Sequence, residues 1–372
     1  MKLKILLEND LVLGGGVENV MQTLALYLLR KGNNVTILAS PNDDADFKKI
    51  YPPEIRCIRR SRNRKLLHRY SPAWILDRVL FLLFDVGQRF RLRLMRFDVA
   101  IALKEGPCMR DILRCCAKRH FAWIHVDYRY LHWTKSFFSS DGEELACMRR
   151  YDKVVCVSRA ALDSVVETIG DPGNLCVRYN PIPAAQIKEM AERSCEKKKD
   201  PGRLLVVSVG RLAPQKNYEL LLRVSQSISE RVPFDLWIIG DGPERQMLEE
   251  MIQRYKLTNV SLLGQQDNPY AFMYQADIYA STSSWESYGL AVQEALVLGL
   301  PVVSVSCPAI QEVFDERYGI LTDNSQTAFQ TALERMLCDT RLREKYRMNI
   351  SRYYDWDSLY EKRLNDICSL WE

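Results

Sequence analysis

Two cations and two carboxylates are spaced as a ligand site would need them. Gly210-Arg211-Leu212-Ala213-Pro214-Gln215-Lys216 follows the apolar run Leu204–Val209. Arg211 and Lys216 therefore leave the carboxyl end of a predicted strand, the edge where open α/β sheets take their ligands. A guanidinium offers phosphate oxygens a planar fork, and an ammonium offers a mobile point charge. Together they suit a diphosphate, against the simpler reading of two surface cations. Further on, Glu286-Ser287-Tyr288-Gly289-Leu290 follows the run Ile278–Ala280 and leads into a helical pattern that contains Glu294. The N–H groups of Gly289 and Leu290 would lie at that helix's N-terminus, whose dipole favours an anion. Carboxylates accept from sugar hydroxyls. Helical rise between Glu286 and Glu294 would part them by about 12 Å, roughly the span between the two sugars of a sugar nucleotide.

Two glycine turns also sit at strand ends. Gly14, Gly15 and Gly16 precede a helix predicted from near Val17, and Gly240-Asp241-Gly242-Pro243 follows the strand Leu236–Ile239. Glycines let backbone approach a ligand closely, and a structural turn explains them equally well. A dinucleotide fingerprint would want glycine where Asn19 stands, which disfavours an NAD enzyme. His125 ends the apolar strand Phe121-Ala122-Trp123-Ile124, with Asp127 two residues on. A lone histidine is often a satisfied core residue. The other three, His68, His120 and His132, read as structural. The acidic stretch Asp43-Asp44-Ala45-Asp46 reads as a solvated loop rather than a metal site.

These residues need a frame to hold them. The 372 residues are 47% hydrophobic and 27% charged, ordinary values for a globular chain with room for two domains. Near-continuous apolar strands alternate with helical stretches, first through Leu3–Glu8, Asn34–Ala39, Asp98–Ala102, His120–His125, Lys153–Val157 and Leu175–Arg178. The pattern restarts with Leu204–Val209, Leu236–Ile239, Val260–Leu263, Ile278–Ala280 and Pro301–Ser306. Such strands imply buried parallel sheets and an α/β fold. Met1 to Leu7 reads as a first strand, since Glu8 and Asp10 end the apolar patch too early for a secretory signal. Eleven cysteines, an odd count without a CxxC pair, read as free thiols in a reducing cytoplasm.

Charge is unevenly placed. Arg56 to Arg96 carries twelve Lys or Arg against two Asp, a local +10 within a net charge of +5. Trp74, Phe81, Phe84, Phe90 and Phe97 are interleaved with these cations. The stretch suits either an anionic lipid surface or a solvated face packed on its own domain. No nucleic-acid-binding motif accompanies it, so nucleic acid is not expected as a partner.

Taken together, Gly15-Gly16-Val17-Glu18, Asn180-Pro181, Gly210-Arg211 with Lys216, Gly240-Asp241-Gly242-Pro243, and Glu286 with Glu294 resemble the retaining GT-B glycosyltransferases. Within them the resemblance is to glycosyltransferase family 4, of the kind that builds bacterial surface polysaccharides. These motifs fall in the family's order and cover nearly the whole chain. The resemblance implies two facing Rossmann-like doubly wound parallel-sheet domains with a cleft between them. The expected division is 1–182 on the acceptor side, a linker at 183–200 and a nucleotide-sugar domain at 201–352. A final helix at 353–372 would cross back to the first domain.

The same resemblance assigns roles. Arg211 and Lys216 would bind the donor diphosphate, Glu286 the donor sugar's hydroxyls and Glu294 the ribose. Gly289 and Leu290 amides would touch the phosphates, and Gly15, Gly16, Gly210 and Gly242 would let backbone near the donor. Tyr288 stands where the family often has Phe. His125 takes the family's active-site histidine position, and Asp127 would orient it or meet the acceptor. No metal or cofactor is expected, the nucleotide sugar being a co-substrate. The implied reaction moves a hexose or N-acetylhexosamine, with a UDP-sugar favoured, to a glycan or polyprenyl-diphosphate-linked acceptor. The expected place is cytoplasmic, attached to the inner face of the plasma membrane through residues 56–97. A sugar-nucleotide epimerase, a phosphorylase and a catalytically idle subunit are the alternatives.

Overall fold

A computed structural model describes residues 2–9, 15–39, 44–59, 90 and 92–372, with backbone alone at 44–46 and 59. It divides into two compact units, Met1–Pro181 with Lys362–Glu372, and Ile182–Glu361. No described helix is long and apolar enough to cross a membrane.

The first unit is built on seven parallel strands. They are β1 (Lys4–Glu8), β2 (Asn34–Ala39), β3 (Arg56–Arg59), β4 (Arg96–Ala102), β5 (Cys116–Ile124), β6 (Lys153–Cys156) and β7 (Leu175–Val177). Their order is β3-β2-β1-β4-β5-β6-β7, so the direction of winding reverses between β1 and β4. Ile5, Leu6, Leu7, Phe121, Trp123 and Ile124 are fully buried. Strands apolar on both faces are what helices covering both sides of a sheet require. The helix Gly16–Arg30 lays Val20, Met21, Leu24, Ala25 and Leu28 on the sheet, a spacing that makes one apolar stripe.

The chain's last residues complete this unit. Leu364 and Ile367 are buried, and Trp371 packs edge-on against Phe121 at 5.5 Å. Tyr27 Oη donates to Asn365 Oδ1 at 2.7 Å, and Arg178 Nε to the Asp366 carbonyl at 2.7 Å.

The second unit has six parallel strands, β8 (Leu204–Val209), β9 (Phe234–Ile239), β10 (Val260–Leu262), β11 (Ile278–Ser281), β12 (Val302–Val305) and β13 (Gly319–Thr322). The order β10-β9-β8-β11-β12-β13 puts its reversal between β8 and β11. The helix Tyr218–Ser229 buries Leu221, Leu222, Val224 and Ile228 against β8 and β9 residues such as Val206 and Leu236.

Two expectations change. Residues 183–200 are no free linker: they contain the helix Ala184–Ala191, and Lys199 pairs with Asp277 while Lys197 Nζ donates to Ser261 Oγ at 2.7 Å. The acidic stretch begins a helix, Asp44–Ile50, rather than a loop, with Asp43 outside the described residues.

Candidate functional site

In each unit the candidate residues follow the carboxyl ends of strands, and in the second unit they lie at the reversal between β8 and β11, where such sheets open a crevice.

In the second unit the loops after β8 and β11 are laced together. Ser284 N donates to the Gln215 carbonyl and Thr282 Oγ1 to the Lys216 carbonyl, both at 2.9 Å, while Gln215 Nε2 donates to the Trp285 carbonyl at 3.0 Å. Lys216 Nζ then meets Glu286 Oε1 at 2.5 Å, with both side chains mostly shielded from solvent. A shielded pair of this kind feels an effective dielectric well below that of water. Arg211 is exposed and makes no ion pair with any described residue.

The helix Leu290–Val297 begins directly after these loops. Gly289 caps it at φ 74°, a left-handed backbone that strains any residue with a Cβ, and a Cβ there would also push on Ile310 Cδ1 at 2.5 Å. Tyr288 is buried beside it. Glu294 lies one turn into the helix, and its Oε1 accepts from Tyr270 Oη at 3.0 Å. Burial pushes the Glu294 carboxyl above its usual range, while the Tyr270 hydrogen bond and the nearby Lys216 charge pull it back. Glu286 precedes the helix, so continuous helical rise does not set its separation from Glu294.

The glycines after β8 and β9 fit the structural turn that the sequence left open. At Gly240, φ 136°, a Cβ would fall 2.0 Å from the Gly210 carbonyl oxygen. At Gly242 it would fall 2.3 Å from that of Leu212. Gly210 N donates to Ile239 O and Leu212 N to Asp241 O, both at 3.0 Å. These glycines let two strand-end turns pack backbone on backbone and so fix where Arg211 starts.

In the first unit Gly15 caps the helix Gly16–Arg30 in extended backbone, a conformation open to any residue. A Cβ on it would meet the Glu18 carboxylate at 3.0 Å, and that carboxylate accepts from Asn9 Nδ2 at 3.0 Å. His125 follows β5. Its ring is hydrogen-bonded to the Leu103 carbonyl, and Nε2 is buried with no partner among the described residues. Burial, helped by the Lys104 charge, lowers its pKa to about 4. The imidazole is therefore neutral near pH 7.

Glu105, after β4, accepts the His125 backbone N–H at 3.0 Å and the Trp133 indole N–H at 2.8 Å. Asp127 does not orient His125: Arg129 takes its carboxylate at 2.7 Å. His120 bonds the Cys115 carbonyl and His132 pairs with buried Glu144, whereas His68 lies outside the described residues. The structure thus adds Glu105, Gln215 and Tyr270 to the residues singled out by motif. No group of three or more His, Cys, Asp or Glu among the described residues is arranged to hold a metal.

Residues 14–186 match the family model for glycosyltransferase family 4, and residues 190–353 match the model for glycosyl transferases group 1. An uncharacterized glycosyltransferase of Methanocaldococcus jannaschii is 30% identical over 185 residues, 41% of this chain and 46% of that protein. The N-acetylgalactosamine-N,N'-diacetylbacillosaminyl-diphospho-undecaprenol 4-alpha-N-acetylgalactosaminyltransferase of Campylobacter jejuni is 29% identical over 202 residues, 53% of each chain. The chain spans about half the length of these curated relatives. Among solved structures, Anabaena HepE in complex with UDP and glucose superposes with TM-score 0.72 at 17% identity, over 99% of this chain and 100% of that one. With the two models taking in most of its length and two Rossmann-like parallel sheets beneath them, the chain belongs to the GT-B glycosyltransferases.

Proposed function

We propose that the chain is a retaining, metal-independent transferase that moves a hexose or N-acetylhexosamine from a UDP-sugar to a lipid-linked surface glycan. The observation that carries this reading is the Lys216–Glu286 contact at the β8/β11 reversal, beside the N-terminus of the helix Leu290–Val297. A sugar diphosphate needs cations and N–H groups for its phosphates and carboxylates for its hydroxyls. That corner offers all three on one sheet edge.

Breaking the sugar–phosphate bond builds positive charge on the anomeric carbon and negative charge on the departing diphosphate. Lys216, Arg211 and the Gly289 and Leu290 amides stabilise the second, as preorganised dipoles do best. Glu286 takes hydroxyls of the sugar and Glu294 those of the ribose. His125, neutral near pH 7, is the first unit's candidate for the reaction. The acceptor attacks on the face the phosphate leaves, and the departing phosphate takes its proton. Configuration is then retained without a second carboxylate of the kind retaining hydrolases use.

The Campylobacter relative, whose name gives a diphospho-undecaprenol acceptor, supports a lipid-linked acceptor here. HepE, seen with UDP and glucose, supports uridine in the donor. Residues 56–97 would hold the enzyme at the cytoplasmic face of the membrane where such an acceptor resides.

The test is donor consumption by the purified chain, given a panel of UDP-, GDP- and dTDP-sugars with membrane lipid extract. UDP release should persist in EDTA and fall at least about a hundredfold in Glu286→Ala, the scale of losing a group that acts in the transition state. If no nucleotide sugar is consumed or bound, the transferase reading fails.

A further inference from the structure

Tyr270 has no motif to recommend it, yet it holds the carboxylate that the proposed function gives to the ribose. It opens the short helix Tyr270–Met273 and is nearly buried. The turn before it is tied down where Asn268 Nδ2 donates to the Met190 carbonyl at 2.7 Å. A rigid mount of this kind fixes the direction of the phenol, which reaches Glu294 Oε1 at 3.0 Å.

We propose that Tyr270 is a positioning residue for the donor: its hydroxyl pins one oxygen of Glu294 and leaves the other aimed at the ribose hydroxyls. The inference rests on the reading that Glu294 meets the ribose. The electrostatics agree with it. Burial favours the neutral carboxyl at Glu294, and a neutral carboxyl would accept from hydroxyls poorly. The Tyr270 hydrogen bond and the Lys216 ammonium favour the charged form. Tyr279 of β11 lies within the electrostatic reach of both Glu286 and Glu294, whose charges oppose ionisation of its phenol. With Lys216 drawn to Glu286, the Tyr270 donor is the contact made to Glu294 alone.

The sign of the consequence follows. Taking away the phenol donor raises the Glu294 pKa, so ribose recognition is lost at a higher pH as pH falls. A mere packing role would lower affinity equally at every pH.

The experiment titrates the full chain with UDP and with 2′-deoxy-UDP by calorimetry from pH 5 to pH 8.5. Wild type should prefer UDP, and Glu294→Gln should abolish that preference. Tyr270→Phe should weaken UDP binding progressively as pH falls, by about tenfold at the acid end for each pH unit by which the titration moves, while leaving it within about twofold at pH 8.5. Its preference for UDP over 2′-deoxy-UDP should shrink at the acid end alone. Should the Phe variant melt early, Tyr270→Gln, whose amide can still donate, is the second probe and should recover the wild-type pH profile.

An unmoved pH profile in Tyr270→Phe, with Glu294→Gln still impaired, overturns the role of Tyr270 and spares that of Glu294. If wild type binds the two nucleotides equally, the ribose reading itself is wrong, and the role of Tyr270 falls with it.

Discussion

A histidine kept neutral by burial leaves a signature in stability as well as in chemistry. His125 has its pKa lowered from 6.5 to about 4, first by burial and then by Lys104, against the opposing pull of the Leu103 carbonyl. Above pH 6.5 neither the folded nor the unfolded chain protonates it, and it contributes full stability. Between pH 6.5 and 4 the unfolded chain gains a proton that the folded chain refuses, so stability falls as pH falls. The shift corresponds to about 3 kcal/mol lost across that window. Urea unfolding of the isolated chain at pH 7 and pH 4.5 measures it. His125→Gln should flatten the slope, and an equally steep loss in the variant would mean that the ring is solvated and free to protonate. Position relative to strand ends made Arg211, Lys216, Glu286 and His125 legible in the sequence. Glu105, Tyr270 and Gln215 were not legible, because their partners are 20, 24 and 70 residues away and only the fold brings them close.

Strands announced themselves because a sheet buried on both faces must be nearly all apolar, and eleven of the thirteen fall on such runs. The exceptions are the two edge strands β3, Arg56–Arg59, with a cation at each end, and β13, Gly319–Thr322, short and opened by glycine, neither of which carries a buried-strand pattern. Motif glycines were legible as turns, but their purpose was not. At Gly240 a Cβ would run into the Gly210 carbonyl. Gly240→Ala must therefore drive the β8 and β9 turns apart, on top of about 1–3 kcal/mol of backbone strain at its positive φ. Gly299 is the control: its φ of 74° is also positive, but nothing lies within 4 Å of a Cβ built there. Thermal melts should show Gly240→Ala well below Gly299→Ala, and UDP affinity should drop in the first variant only, as Arg211 and Lys216 move. Equal melts and equal affinities would mean that the two turns do not depend on close backbone contact.

Across the whole molecule, charge and chain path work together. The chain returns its last residues to the unit it started from, where Trp371, Leu364 and Ile367 are buried, so both chain ends stabilise the unit that carries His125. The same unit carries the cationic stretch, whose described side chains include exposed Arg56, Arg93 and Arg96 beside exposed Phe90 and Leu94, 64% and 68% accessible. The rest of the stretch, 60–89 and 91, lies outside the described residues. Cations at a bilayer surface contribute about 1 kcal/mol each when the lipid is anionic, and apolar side chains reaching the acyl boundary add to that. With the remainder of the chain at −5, net attraction to anionic lipid is expected from this one stretch of sequence. Sedimentation with phosphatidylglycerol-containing vesicles should therefore pull the chain down, and pure phosphatidylcholine should not. Changing Arg59, Arg60, Arg62 and Arg64 together to Ser removes about 4 kcal/mol of that attraction, close to a thousandfold in partitioning. Salt at about 0.5 M should imitate the loss by screening. UDP affinity in solution should stay as it was, since Arg211, Lys216 and Glu294, the residues proposed to hold the nucleotide, belong to the other unit. Equal binding to both vesicle types, or binding indifferent to the four arginines, would detach the enzyme from the membrane and leave a soluble acceptor as the substrate to seek.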